Sequence, residues 1–274
     1  MIREPAVSGT FYASNADLLK ADIDGYLKKA TPEKIDGRIM GLVSPHAGYM
    51  YSGQTAAYGF KALVGSHYDT VIVVAPSHQN FFYGGAIQDK GGYRTPLGIV
   101  DIDEAFCQRL IDRGEGLIHS DPRTHKGEHA IEVQIPFLQT VLNDFKIVPV
   151  IQGTSQDTHL ASQMGDLLAD CVDDRSKSYL IIGSTDLSHY YPYDLAKDLD
   201  AGAIELVSNF DVEGLDRELP RGKYEACGAG SIVSAMVFSR KMGATRSKVL
   251  DYKNSGDVTG ETGNVVGYLS CVFY

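Results

Sequence analysis

Three apolar runs in this chain of 274 residues end alike, in a short polar turn that carries a histidine or an aspartate. They are Ser44-Pro45-His46, Pro76-Ser77-His78 and Ser184-Thr185-Asp186, with His189 three positions further on. In an open α/β sheet, ligands sit beyond the carboxyl ends of the strands, so such residues meet at one edge if their strands are parallel neighbours. A lone strand-end histidine is ordinarily a hydrogen-bonded structural residue. Repetition of the position across three strands predicts a shared site instead. His67, His119 and His159 lack that placement and read as surface or capping residues.

A further candidate, Cys227, lies in Glu225-Ala226-Cys227-Gly228-Ala229-Gly230, directly before an apolar helical pattern. The free N–H groups and dipole of a helix N-terminus favour thiolate, the form that ligates metals or attacks electrophiles, so a lowered thiol pKa is expected. The competing reading is a small buried hydrophobe. On the first reading His46, His78, His189 and Cys227 converge on one metal-capable pocket. Cys107, Cys171 and Cys271 fall within amphipathic helical or strand patterns and read as core. His125-Lys126-Gly127-Glu128-His129 matches the H-x-x-E-H pattern of inverted zinc peptidases. That chemistry needs both histidines on one face of a continuous helix, and Pro122 and Gly127 indicate a loop leading into a helix. His129 and Glu132 are therefore expected to line the pocket or to cap that helix.

The elements that must position these residues alternate between strand and helix patterns, as in an α/β fold. Strands are expected at 39–43, 70–75, 146–151, 179–183, 249–252 and 266–273. The run at 70–75 has β-branched residues on both faces, so both sides of the sheet are covered. Helices are expected at 15–29 with Ser14 as N-cap, and at 53–63, 104–113, 159–171, 195–207 and 228–242. A helix at 128–142 would be kinked by Pro136. The glycine-marked segment 84–98 reads as a hairpin or an excursion over one face.

At 43% hydrophobic residues, a single domain spanning 1–274 can bury its core without crosslinks. Four scattered cysteines with no CxxC pair argue against a disulfide framework or a zinc ribbon. No run is apolar enough for a signal peptide or a membrane span, and free thiols then point to the reducing cytoplasm. A formal charge of −10, with only the short basic pairs Lys28-Lys29 and Arg240-Lys241, argues against nucleic acid as a partner.

Several segments together resemble the Memo family. They are Pro5-Ala6-Val7-Ser8-Gly9-Thr10-Phe11-Tyr12, Ser44-Pro45-His46-Ala47-Gly48-Tyr49, Pro76-Ser77-His78, Arg94-Thr95-Pro96-Leu97-Gly98, Glu128-His129 with Glu132-Val133-Gln134, Ser184 to His189, and Ala226 to Gly230. The resemblance covers nearly the whole chain. It implies an α/β domain with a mostly parallel central sheet flanked by helices, like the class III extradiol ring-cleaving dioxygenases. Those are non-haem iron enzymes that use two histidines and a carboxylate as ligands and a further histidine as acid/base.

Carried over by motif, His46 and His78 would be metal ligands and His189 the acid/base. Cys227 would stand in the carboxylate's place, and Asp186 would orient a histidine from behind. His129, Glu128 and Tyr49 are expected on the substrate side. Thiolate in place of carboxylate softens the site and sets an oxidisable sulfur beside any bound dioxygen. Fe(II) is the expected cofactor, with copper and zinc as alternatives. The expected function is dioxygen-linked or redox chemistry on a small organic substrate. One alternative is a non-catalytic metal-binding or scaffold protein recognising a peptide through the same cleft, as phosphopeptide recognition by eukaryotic relatives implies. The lack of a visible arginine cluster ranks it second. The other is a metal-free enzyme with Cys227 as nucleophile, His189 as base and Asp186 as orienter. Association of prokaryotic relatives with radical-chemistry proteins implies radical-SAM pathway partners.

Overall fold

The most apolar segments of the sequence lie side by side at the centre of a nine-stranded sheet. The structure, a computed structural model, describes residues 1–174, 176–219 and 221–274. Its strands are β1 (Ile2–Arg3), β2 (Gly41–Ser44), β3 (Thr70–Pro76), β4 (Gly85–Ile87), β5 (Gly92–Thr95) and β6 (Gly98–Asp101), then β7 (Ile118–Ser120), β8 (Lys146–Gln152), β9 (Tyr179–Ser184), β10 (His189–Tyr191), β11 (Ser247–Asn254) and β12 (Val265–Phe273). The main sheet runs β10-β12-β2-β9-β3-β8-β4-β7, with β11 also paired to β12. Strands β2, β9, β3 and β8 are mutually parallel, while β12 and β4 join them antiparallel on either side. The sheet is thus parallel at its centre and mixed toward its edges.

Every residue of β2, β3 and β9 is buried, so both faces of the sheet are covered. Helix Ala229–Lys241 packs on β9, β2 and β3 with helix Thr158–Asp170 beside it. Helix Tyr49–Ala62 packs on β12, β11 and β2 with helix Ala16–Lys29 behind it. Gly41 abuts Ser239 of the first helix, and its neighbour Leu42 abuts Gly59 of the second. Successive strand residues point to opposite faces, which sets the two helices on opposite sides.

Register fixes what happens at the strand ends. Ser44 of β2 lies opposite Ser184 of β9, and Val74 of β3 opposite Gly183, so these three strands run out together. The residues that follow each of them share one rim.

Two expected elements differ. Residues 128–142 do not form one kinked helix: a 3-10 turn, Glu132–Gln134, leads into helix Ile135–Val141 with Pro136 in its first turn. A first-turn proline gives up only an N–H that has no intrahelical partner, so nothing kinks. The segment 84–98 divides between sheets. β4 enters the main sheet, while β5 and β6 form a hairpin that pairs with β1 in a separate three-stranded sheet. Asn15 rather than Ser14 caps the first helix, accepting from the Leu18 N–H. Among the described residues no helix is long and apolar enough to cross a membrane.

Candidate metal centre

His46 leaves the end of β2 buried, and its ring is locked by a network that decides its tautomer. Ser184 Oγ donates to the Ala130 carbonyl at 2.7 Å and accepts from Gln134 Nε2 at 2.9 Å. A hydroxyl has one proton, so the 2.9 Å contact between His46 Nδ1 and Ser184 Oγ is donated by the imidazole. Burial and the neighbouring histidines hold His46 well below its ordinary pKa, so the ring is neutral. Its Nε2 is left as an acceptor facing into the site.

Glu128 does the same for His78. Its buried carboxylate accepts the His78 backbone N–H at 2.7 Å and lies 2.9 Å from His78 Nδ1, so that nitrogen donates and Nε2 is free. The His129 and Ala130 N–H groups also bond it, at 2.9 and 3.0 Å. Burial opposes charge on both partners, yet their pairing wins. Glu128 is lowered to about 2 and His78 is raised above its ordinary value. These backbone bonds also draw residues 128–130 away from helical geometry, which accounts for the missing helix start.

His129 completes the cluster. Its ring stacks on His78 with centroids 4.6 Å apart and stands edge-on to His46 at 5.5 Å. His46, His78 and His129 each offer a ring nitrogen, all within 4.8 Å of one another. Burial lowers the His129 pKa. Ring nitrogens whose opposite edge is fixed by a hydroxyl or a carboxylate are characteristic of metal-ligating histidines. The donor set can hold a divalent ion.

Cys227 reaches the same point from the segment that leads into helix Ala229–Lys241. Gly228 packs so close to the Ser184 carbonyl that a Cβ would stand 2.4 Å from it, so a glycine is required for the approach. Cys227 Sγ lies 3.1 Å from His46 Nε2 and accepts the Asp186 N–H at 3.2 Å. The expected lowering of its pKa is not found. Burial, reinforced by Asp186, pushes the thiol up to about 12, outweighing the bond from the Asp186 N–H. Without a metal it is a thiol donating to His46.

Asp186 is buried and raised to about 6 by that burial. Its Oδ1 accepts the His46 backbone N–H at 2.9 Å, and its Oδ2 stands 4.0 Å from His46 Nε2. It thus holds His46 through the main chain. His189 donates from Nδ1 to the Leu187 carbonyl at 2.7 Å, leaving Nε2 as an acceptor. With Phe11, Tyr51, His129, Asp186 and Tyr190 it lines a cleft of 660 Å³.

Of the residues expected on the substrate side, only His129 lines that cleft. Glu128 is buried behind His78, and Tyr49 is turned into the core with its hydroxyl donating to the Val133 carbonyl at 2.6 Å. Glu132 neither lines the cleft nor caps a helix. Wholly buried, it pairs with Arg3 and accepts the Tyr12 hydroxyl at 2.5 Å and the Ala6 and Val7 N–H groups at 2.7 and 3.1 Å. This clamp fixes the N-terminal segment so that Phe11 packs 4.9 Å from His129. No local sequence signal marks a pairing across 129 positions. His125 is likewise structural. Its Nε2 donates to the Ala86 carbonyl at 3.1 Å and its Nδ1 accepts from Tyr93 at 2.5 Å. The short helix Pro122–His125 ends before Glu128, so the two histidines of the peptidase-like motif share no helix.

Fold and site together define an α/β protein that gathers histidines and one cysteine at the ends of its parallel strands around a metal-competent centre. The chain belongs to the Memo family, whose model, described as Memo-like protein, matches residues 3–272. A MEMO1 family protein of Methanosarcina mazei is 36% identical over 273 residues, covering 99% of this chain and 98% of its own. MEMO1 family protein MK0963 of Methanopyrus kandleri is 36% identical over 282 residues, covering 100% and 99%. The crystal structure of uncharacterized protein JW3007 from Escherichia coli K12 shares the fold at a TM-score of 0.56 and 15% identity, over 86% of this chain and 100% of that one.

Proposed function

We propose that this protein is a non-haem metal protein that performs redox or dioxygen-linked chemistry on a small organic molecule held in the cleft. The observation that carries the reading is the pair of locked imidazoles. His46 and His78 each have Nδ1 tied down by Ser184 or Glu128, which leaves Nε2 of each as the nitrogen offered to the same space. In this reading they hold the ion with Cys227, whose sulfur is close enough to His46 to share one ion with donor distances of about 2.0–2.3 Å. His129 stands within reach as a further nitrogen donor. Fe(II) is the proposed ion, with zinc and copper competing for a set that includes sulfur. Such an ion, when bound, would supply Lewis acidity and one-electron redox chemistry toward a substrate and dioxygen.

The chain's own groups do the rest. His189, with Nδ1 committed to a carbonyl, takes a substrate proton at Nε2. Asp186 holds His46 and faces the cleft. Reduced thiols and a ferrous ion suit the reducing cytoplasm. A metal-free Cys–His nucleophile is disfavoured. The thiol is held near 12, and the ring within reach of Cys227 is His46 rather than His189.

The test is dioxygen uptake by anaerobically iron-loaded protein across a panel of small phenols. His189→Ala should keep its iron and lose substrate-dependent uptake. Iron lost from that variant contradicts the division of roles, and wild-type protein with iron but no uptake on any phenol contradicts the redox reading.

A further inference from the structure

The lining of the cleft narrows what can enter it. Among the described residues no lysine or arginine lines it; its acidic side chains are Asp186, on the inner wall, and Glu261. Phe11, Tyr51, Tyr190 and Tyr268 supply aromatic surface, and the whole chain carries a net charge of −10. A carboxylate or phosphate at the outer end of this space meets Glu261 and no lysine or arginine to offset it. An aromatic ring meets faces and edges on which it can stack.

Tyr190 is built to present such a face. Its backbone sits at φ +64°, the left-handed region that side-chain-bearing residues avoid. The conformation arises where β10 slips register against β12 between His189 and Tyr191, leaving Tyr190 as the bulged residue. Asn264, another lining residue, oriented to satisfy its neighbours, donates to the Tyr190 carbonyl at 2.9 Å and holds the bulge. The result is a tyrosine that is 73% exposed, 5.7 Å ring to ring from His189, on the mouth of the cleft. Nothing in the core requires that ring. Strain retained at the edge of a site is characteristic of a positioning role.

We propose that the cleft selects a planar aromatic molecule without negative charge, with Tyr190 as the stacking surface and Glu261 favouring a cationic substituent at the outer end. The substrate class rests on the functional reading above only in supposing that this cleft is where substrate binds. The ring lies beside His189, with its hydroxyl toward the histidines and any amine toward Glu261. Tyrosine faces also attract cations, which adds to the preference.

Three probes that differ only in charge test this on the full chain, freed of metal: p-cresol, tyramine and 4-hydroxyphenylacetate, titrated by calorimetry at pH 7. Tyramine should bind at least as well as p-cresol, and 4-hydroxyphenylacetate about tenfold more weakly. Tyr190→Ala should weaken p-cresol about fivefold, and Glu261→Gln should bring tyramine and p-cresol to the same affinity. The proposal is overturned if the anion binds as well as the neutral probe, if Tyr190→Ala binds like wild type, or if none of the three binds saturably. Zinc titration of the same samples separates the two readings. Discrimination among the probes without metal binding leaves this proposal standing and removes the metal centre. Metal binding lost on His78→Ala, together with preference for the anion, does the reverse.

Discussion

Replacing Glu128 with Gln removes a charge while keeping the shape, and its cost can be worked out in two independent ways. The carboxylate accepts four N–H donors: the backbone and ring of His78, and the backbones of His129 and Ala130. An amide has one accepting oxygen. If that oxygen takes the three donors on Oε1, its NH₂ faces the His78 N–H, leaving a buried donor unpaired at about 1–3 kcal/mol and weakening the bonds that remain. The second route is proton linkage. The Glu128 carboxyl falls from an ordinary 4.5 to about 2 in the folded protein, because the bonds and charge of His78 overcome the effect of burial. A depressed carboxyl contributes stability that is present above its unfolded pKa and lost as pH falls through its folded one. At about 1.4 kcal/mol per pH unit the contribution at pH 7 is about 3 kcal/mol. The two routes agree. Urea unfolding of metal-free wild type and Glu128→Gln at pH 7 should therefore differ by about 3 kcal/mol, and at pH 3 by less than about half of that. Equal stability at pH 7, or a gap that does not shrink in acid, would refute the reasoning.

Other perturbations reach other parts of the account. Glu132→Gln leaves Arg3 buried beside a neutral partner and should cost about 3–5 kcal/mol in the same urea assay, whereas a loss under 1 kcal/mol would show that the clamp does not stabilise the fold. Cys227 in metal-free protein should react with iodoacetamide at pH 8 more than about tenfold more slowly than a free cysteine, since its thiol is held near 12; fast, stoichiometric labelling would restore the nucleophile reading. Tyr190→Gly removes the cost of a left-handed side-chain residue that is largely exposed, and should raise stability by about 1 kcal/mol. A loss of stability would mean that the tyrosine ring packs more than its exposure indicates.

What the sequence revealed and what it hid divide along a physical line. His46, His78 and Asp186 follow directly on buried strands, and a strand end is a local pattern that apolar runs and turn residues announce. Once β2, β9 and β3 are parallel neighbours, their convergence follows. His129 was legible only as a residue near the pocket, because its place in the cluster depends on the Glu128 carboxylate drawing the His129 and Ala130 N–H groups out of helical geometry. Helical periodicity across 128–142 cannot register that competition. For Cys227 the position was legible but the sign of its pKa shift was not, since the helix-end argument takes no account of enclosure or of Asp186 beside the sulfur. Tyr49 sits in a motif with His46, yet the turn that aims His46 at the site sends Tyr49 into the core. The Arg3–Glu132 clamp needs the tertiary fold before it can be seen.

The most direct test of the central claim is the iron bound per chain after anaerobic reconstitution with Fe(II), compared between wild type, His46→Ala and His78→Ala. The account predicts close to one iron in wild type and little in either variant, since each removes an imidazole whose lone pair is aimed at the ion. Wild-type protein that takes up no iron, or variants that retain it fully, would contradict a metal centre at these strand ends.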